Sequence, residues 1–137
     1  MSHRVVIVDG DEQVLLGLRE LLGAFADIDI VGCESNAHDA QERVLQLEPD
    51  AVVMEVALPD RDGLELCWIL RRACPTMTIV LHTAVPVLED EFQRFGADAI
   101  VRKGYSAPRM IAAWIYRNAA RSPMPSAASL LHDEKGH

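Results

Sequence analysis

The chain has little cysteine, few basic side chains and no long apolar run, and each shortage excludes a class of protein. Its three cysteines, Cys33, Cys67 and Cys74, form no CxxC pair and lie in apolar segments, which favours reduced core thiols over disulfides or a zinc site. Thirteen Lys and Arg against 21 Asp and Glu argue against a nucleic-acid surface. Neither a leader nor a membrane span is visible. We therefore expect a cytoplasmic protein that contacts neither nucleic acid nor membrane.

What the sequence does contain is an alternation of apolar, β-branched runs with helical patterns. The runs occupy residues 4–9, 28–33, 51–55, 78–82 and 99–102. Near-continuous hydrophobicity in the first and third runs indicates central strands buried on both faces, as in parallel sheets. With 137 residues, half of them apolar, the chain has material for one core. The sequence predicts a single α/β domain over residues 1–121.

Five helices are predicted between and after these strands. Apolar residues repeat at helical spacing in segments 12–25 and about 37–47. The remaining helices are expected over 63–74, 86–95 and 108–121, each closed by a Gly, Pro or basic residue. The pair Ser35 and Asn36 is suited to capping the second helix. Residues 122–137 are rich in Pro, Ser and Ala and poor in core formers, so we expect a flexible tail, with one short turn around Leu130 and Leu131.

Polar side chains stand where the predicted strands end. They are Asp9, Gly10 and Asp11 after the first strand, Glu55 after the third, Thr83 after the fourth and Lys103 after the fifth. Ligands bind beyond the carboxyl ends of the strands in open parallel sheets, so these residues should share one crevice. Acids, a hydroxyl and an ammonium together suit a divalent cation and a phosphoryl group.

At these residues the chain resembles the receiver domain of bacterial response regulators, most of all the NarL/FixJ type. The resemblance covers about residues 4–121 and rests on VVIVDGDEQVLLGLRELL, DIDIVGCESNAHDA, PDAVVMEVALPDRDGLEL, IVLHTA and GADAIVRKGYSAPRM. It implies a flavodoxin-like (CheY-like) doubly wound sheet of five parallel strands in the order 2-1-3-4-5. Five helices would cover it, two on one face and three on the other.

The resemblance places a metal site on the first acidic stretch. Asp9 takes the position of the family's first acid, and the carbonyl of Ala57 takes that of a backbone metal ligand. Gly10 falls where a second acid normally binds Mg²⁺, so that ligand is missing. Asp11 should point toward the start of the first helix. We expect no cofactor, with Mg²⁺ binding weak at best and Asp9 and Ala57 as vestiges of its site.

The resemblance also assigns the phosphoryl chemistry. Glu55 occupies the position of the phosphoaccepting aspartate, one methylene too long for an attack whose geometry must be close to ideal. Thr83 and Lys103 match the residues that contact the phosphoryl group, and Ile100 stands at the aromatic switch position. We expect no catalytic residue and an altered phosphorylation site. Glu55 and Lys103 should form an ion pair that either imitates the phosphorylated state or marks an unused site.

The resulting hypothesis is an atypical receiver, or pseudo-receiver, that acts in two-component signalling through protein contacts. Its partner would be a histidine kinase or a downstream regulator. Two alternatives stay open: a working phosphoacceptor, and the receiver part of a DNA-binding transcription regulator. A flavodoxin-like cofactor binder is disfavoured because no glycine-rich loop follows the first strand.

Apolar residues outside the predicted helix stripes suggest interfaces. Ile111 and Ile115 are expected to form a homodimer or partner contact on the face made by the fourth helix, the fifth strand and the fifth helix. Trp68 falls outside the inward stripe of its helix, and either joins a contact surface or lies flat over neighbouring side chains. His82 should be packed in the core. The other histidines, His3, His38, His132 and His137, show no metal-binding spacing.

Overall fold

The computed structural model describes residues 2–120, and the predicted tail with its turn lies outside them. Strands and helices alternate along the whole described chain. They are β1 (His3–Val8), α1 (Glu12–Gly23), β2 (Ile28–Glu34), α2 (Ala37–Leu47), β3 (Ala51–Met54), α3 (Gly63–Ala73), β4 (Thr78–Thr83), α4 (Glu89–Arg94), β5 (Ala99–Arg102) and α5 (Ala107–Ala120). All strand pairs are parallel, in the order β2-β1-β3-β4-β5. The predicted flavodoxin-like topology is confirmed.

The sheet is covered on both faces, which explains its continuous apolar strands. Every residue of β3 and β4 is buried, as are the last four of β1. Helices α1 and α5 pack on one face through Leu18, Leu22 and Ala112. Helices α2, α3 and α4 pack on the other through Val44, Leu70 and other apolar residues. The expected division into two helices and three is therefore correct.

The thiols agree with the prediction of reduced cysteines. Cys33, Cys67 and Cys74 are all free. Burial raises the pKa of the Cys67 thiol to about 12, because a thiolate would lose its hydration in the core. Cys67 therefore behaves as an apolar packing residue of α3 at neutral pH.

The prediction that Ile111 and Ile115 form an interface is wrong. Ile111 and Ile115 are 0% and 2% exposed and belong to the core beneath α5. They follow the buried Ala107 at intervals of four residues, so they form the inward stripe of the helix. Met110, 45% exposed, and the partly buried Trp114 lie outside that stripe. Apolar residues lie along two lines of α5, and packing on the sheet buries the line of Ile111 and Ile115 instead of the line of Met110 and Trp114.

Candidate functional site

The ends of four strands bring the polar residues into one pocket. Asp9 follows β1, Glu55 follows β3, Thr83 ends β4 and Lys103 follows β5. Backbone hydrogen bonds continue the sheet to this point, with the Glu55 N–H donating to the Val8 carbonyl (2.9 Å) and the Lys103 N–H to the Thr83 carbonyl (3.1 Å). Asp9, Glu55 and Thr83 are buried. The predicted convergence at the carboxyl edge of the sheet is present.

Both carboxylate oxygens of Glu55 are occupied. Oε2 accepts hydrogen bonds from the backbone N–H groups of Val56 (2.6 Å) and Ala57 (3.0 Å), and from the Thr83 hydroxyl. Oε1 lies 2.6 Å from the Lys103 ammonium nitrogen. The side chain is long enough to turn back over its own backbone, so four donors surround one carboxylate.

Lys103 joins the two acids of the pocket. Its Nζ lies 2.8 Å from Asp9 Oδ2 as well as 2.6 Å from Glu55 Oε1. The other oxygen of Asp9 accepts the backbone N–H of Asp11 (2.9 Å). The Lys103 side chain is 24% exposed, whereas the carboxylates beside it are almost fully buried. A single ammonium group therefore neutralises part of the charge of two buried acids.

The surroundings keep this ion pair charged. Burial alone would raise the pKa of Glu55, but hydrogen bonds from Lys103, Thr83 and Ala57 outweigh it and lower the pKa below its ordinary value. Burial alone would lower the pKa of Lys103, but Asp9 and Glu55 outweigh it and raise that pKa. Both groups are thus ionised at neutral pH, and the expected ion pair is formed.

Asp9, Gly10 and Asp11 all line the pocket, but of the two acids only Asp9 pairs with Lys103. Gly10 has no side chain, and a Cβ built on it would lie 3.1 Å from Pro59 Cδ. The Asp11 carboxylate accepts the Gln13 N–H (2.9 Å) and caps α1, which is the direction expected for it. Asp11 therefore stabilises the start of α1 as its N-cap.

A family model for the response regulator receiver domain matches residues 5–115. The chain belongs to the response regulator receiver family. Similar curated proteins are the response regulator protein VraR of Staphylococcus saprophyticus, 31% identical over 110 residues (78% of this chain, 52% of that protein), and the DNA-binding transcriptional activator DevR/DosR of Mycobacterium tuberculosis, 38% identical over 81 residues (59% and 37%). The match thus spans about half the length of VraR and a smaller share of DevR/DosR.

Solved structures agree on the fold. A two-component response regulator of the LuxR family from Aurantimonas sp. SI85-9A1 superimposes over all of both chains with a TM-score of 0.79 at 24% identity. The signal receiver domain of the NarL regulator from Mycobacterium tuberculosis gives 0.78 at 19% identity, over 88% of this chain and 98% of that one. Within residues 2–120 of this receiver, no helix is both long and apolar enough to cross a membrane.

The Mg²⁺ that the family implies does not fit the donors of this receiver. Asp9 is the acid left from the implied pair, and its oxygens face the Asp11 N–H and the Lys103 ammonium. The oxygens of Glu55 are held by four donors. Mg²⁺ requires near-octahedral oxygen ligands, so it would have to displace Lys103 from both acids.

The other residues singled out in the sequence contact none of the pocket's charged groups in the hydrogen bonds and ion pairs described above. Ile100, at the switch position, is partly buried against the core of the α2 to α4 face. Trp68 is 47% exposed, and the Arg72 guanidinium lies 4.8 Å from its ring centroid, an arrangement expected if the ring simply covers its neighbours. His82 is buried as predicted, and burial lowers its pKa. His38 lies beside two acids on an exposed turn of α2.

Sequence reasoning missed the loop between β3 and α3. The Asp60 carboxylate accepts the N–H groups of Ala37 (2.8 Å) and His38 (3.0 Å) at the start of α2. Asn36 makes the expected local cap through the Asp39 N–H (2.8 Å). Asp60 adds a second cap from more than twenty residues away, and no local pattern announces such a contact.

Proposed function

We propose that this receiver domain signals through protein contacts and is not phosphorylated in the usual way. The observation that carries the proposal is that both oxygens of Glu55 are engaged, Oε2 by Thr83 and two backbone N–H groups and Oε1 by Lys103. An attacking carboxylate must present a free oxygen to the phosphodonor in line with the leaving group. Here Oε1 keeps a second lone pair, but its contact with Lys103 withdraws the negative charge that an attack needs, so that contact must weaken before Oε1 can attack.

The loss is large enough to matter. A hydrogen bond to a charged group contributes about 1.5–3 kcal/mol, which corresponds to roughly a tenfold to hundredfold slower reaction. The extra methylene of Glu55 and the lack of a second metal ligand at Gly10 add to this barrier. We therefore propose a non-catalytic module that works without Mg²⁺.

The contacts favour imitation of the phosphorylated state over an unused site. Thr83 and Lys103, which the family uses to contact the phosphoryl group, are already held by the Glu55 carboxylate. The Thr83 hydroxyl oxygen in turn accepts the Val85 N–H (3.1 Å) at the start of the connection to α4. Glu55 would thus hold the loop after β4 permanently in one position. The strength of the signal would then depend on how much of the protein is present and not on its phosphorylation.

Variants at Glu55 test the imitation. Glu55→Gln keeps the length and removes the charge, Glu55→Asp shortens the side chain, and Glu55→Ala removes it. We expect all three to shift the amide resonance of Val85 and to weaken partner binding or dimerisation. Glu55→Asp and Glu55→Ala remove the acceptor of the Thr83 hydroxyl, and Glu55→Gln removes the charge that pairs with Lys103. If Glu55→Ala and Glu55→Asp both behave like the wild type, the imitation is refuted and the site is an unused remnant.

The partner surface we propose lies on α4, β5 and α5, with corrected residues. Tyr105 is fully exposed, Leu88 is 70% exposed, and Met110 lies nearby in sequence at the start of α5. Exposed large apolar residues of this kind mark protein contact sites. Tyr105→Asp and Met110→Asp should abolish a homodimer seen by light scattering, or binding to a kinase or regulator. The matched control, Leu45→Asp on α2, should leave it intact, and equal losses would refute the assignment.

A role in transcription regulation is the second candidate. DevR/DosR is a DNA-binding transcriptional activator, and the receiver covers only 37% of its length. The residues of this chain provide a regulatory module for such a protein. Reading the gene on both sides of the 137 codons tests this candidate: a DNA-binding domain in the same frame would support it, and stop codons on both sides would exclude it for this polypeptide.

A further inference from the structure

Charge is distributed unevenly along the chain. Residues 1–91 hold 18 Asp and Glu against six Lys and Arg, whereas residues 92–120 hold one acid, Asp98, against five basic residues. Asp98 is already bound to Arg71 of α3, with Nη2 2.9 Å from Oδ2. The segment that forms the end of α4, all of β5 and α5 is therefore basic in a protein whose net charge is −8.

Four arginines of this segment reach the surface without an acidic partner. Arg94 on α4, Arg102 on β5, and Arg109 and Arg117 on α5 are all exposed. Among the side chains that the structure describes, none of the four forms an ion pair, whereas three arginines elsewhere pair with carboxylates at 2.9 to 3.9 Å. The unpaired arginines thus belong to one third of the chain.

Apolar side chains accompany Arg117 on α5. Asn118 lines a groove with Gln93 of α4, so this side of α5 faces α4 and β5. Trp114, one helical turn earlier, lies on the same side, and the Arg117 guanidinium lies 4.8 Å from its ring centroid. Met110, one turn earlier again, is 45% exposed. Arginine beside Trp and Met is a composition typical of protein interfaces.

Arg102 connects this part of the surface to the pocket. Its Nη1 donates to the Val85 carbonyl (3.0 Å). The Val85 N–H donates to the Thr83 hydroxyl oxygen (3.1 Å), and that hydroxyl donates to Glu55. A guanidinium has five N–H donors, so Arg102 keeps most of them for a carboxylate while Val85 fixes its side chain. Val85 is therefore held between the pocket on one side and an exposed arginine on the other.

We call Arg102, Met110, Trp114 and Arg117 the arginine surface. We propose that the arginine surface binds an acidic, amphipathic segment of a partner protein, and that Arg102 grips a carboxylate of that segment best while Val85 is held. This inference rests on the proposed function, because Glu55 keeps Val85 in place through Thr83.

Charge complementarity selects this kind of partner. A long polyanion such as DNA, or an anionic membrane, would also meet the acidic remainder of the chain and be repelled by it. A short acidic segment contacts the basic surface alone. The Trp and Met side chains of the arginine surface offer contact area for apolar residues of the same segment.

Titration of the full chain with a synthetic peptide, followed by NMR, tests the chemistry of the partner. The probe is an amphipathic peptide of Glu and Leu, and its control carries Gln in place of every Glu. The acidic peptide should shift the Nε–H resonances of Arg102 and Arg117 and bind at least about tenfold more tightly than the control, the effect of charge-assisted hydrogen bonds. Equal binding of the two peptides overturns the proposal.

Other occupants of the surface are tested in the same way. A DNA duplex and phosphatidylserine vesicles should each bind more weakly than the acidic peptide, and equal or tighter binding of either overturns the choice of a protein partner. A homodimer seen by light scattering that Arg102→Gln dissociates would assign the surface to a second copy of the chain and would also overturn it.

Variants separate the surface from the pocket. Arg102→Gln should weaken binding of the acidic peptide about tenfold, and the matched control Arg19→Gln, at an exposed position of α1, should leave it unchanged. Glu55→Ala should also weaken binding, because it releases Val85, and the loss in Glu55→Ala/Arg102→Gln should be smaller than the product of the two single losses. A loss equal to that product overturns the link through Val85.

The failures of the two proposals are distinguishable. Unchanged peptide binding in Arg102→Gln refutes the arginine surface and leaves the proposed function standing. Phosphorylation of the wild-type protein refutes the proposed function, while the peptide titration still decides the arginine surface.

Discussion

Replacement of Lys103 by methionine removes the ammonium group and keeps most of the side-chain volume. Two carboxylates, Asp9 and Glu55, then remain buried side by side without the cation that lay 2.8 and 2.6 Å from them. Removing one partner of a buried ion pair typically costs 3–5 kcal/mol. Because Lys103 is 24% exposed and partly screened by solvent, we expect about 2–4 kcal/mol at pH 7.

The pH dependence of this loss identifies its cause. In the wild type the pKa of Glu55 is lowered, so its contribution is present above the ordinary value of 4.5 and is lost as the pH falls through the folded-state pKa. The raised pKa of Lys103 makes its contribution complete below 10.5, with loss only as the pH rises through the folded-state value. In Lys103→Met, burial should instead raise the pKa of Glu55, so the variant regains stability as the pH falls from 7 to 5.

Urea denaturation followed by circular dichroism at pH 5, 6, 7 and 8 measures both effects. The stability difference between wild type and Lys103→Met should shrink toward pH 5, because protonation removes the unpaired charge. Arg109→Met, at an exposed position of α5, is the control and should show a small difference at every pH. A constant difference between pH 5 and 8 would refute the claim that Lys103 acts by neutralising buried carboxylates.

Three further predictions concern the fold around the pocket. Gly63→Ala should lower the free energy of unfolding by about 3 kcal/mol or more, since its Cβ would clash with the Glu55 carbonyl oxygen. Gly17→Ala on α1, where nothing lies within 4 Å of the added Cβ, is the control and should be neutral or stabilising by about 1 kcal/mol. Urea denaturation midpoints compare the two variants. His82→Leu should lose less stability than the wild type between pH 7 and 5. Burial lowers the pKa of His82, so below 6.5 the unfolded wild-type chain gains a proton that the folded protein resists, and the wild type loses stability. Parallel pH curves of the two proteins would contradict this. Ile111→Asp should unfold the domain, as read by circular dichroism, and a folded variant would mean that Ile111 is not a core residue.

The sheet and the pocket were predictable because both follow from local features. Continuous apolar runs such as Val5 to Val8 identify buried parallel strands, and parallel strands bring their carboxyl ends to one edge. These two features predict that Asp9, Glu55, Thr83 and Lys103 lie together. The helix bounds were less certain: α4 begins at Glu89, three residues after the predicted start.

The errors arose where packing chooses between equal alternatives. Ile111 and Met110 both belong to apolar stripes of α5, and only contact with the sheet decides which stripe turns inward. The hydrogen bond from the Ala37 N–H to Asp60 joins residues 23 apart in sequence, and nothing in the residues around Asp60 predicts it.

The most direct test of an altered phosphorylation site is the intact mass of the wild-type protein after incubation with Mg²⁺ and a small phosphodonor such as acetyl phosphate. Engagement of both Glu55 oxygens, by Lys103 and by Thr83, predicts that the mass stays unchanged. A phosphorylated species approaching one phosphoryl group per chain, with the group located on Glu55 or Asp9, would contradict the account.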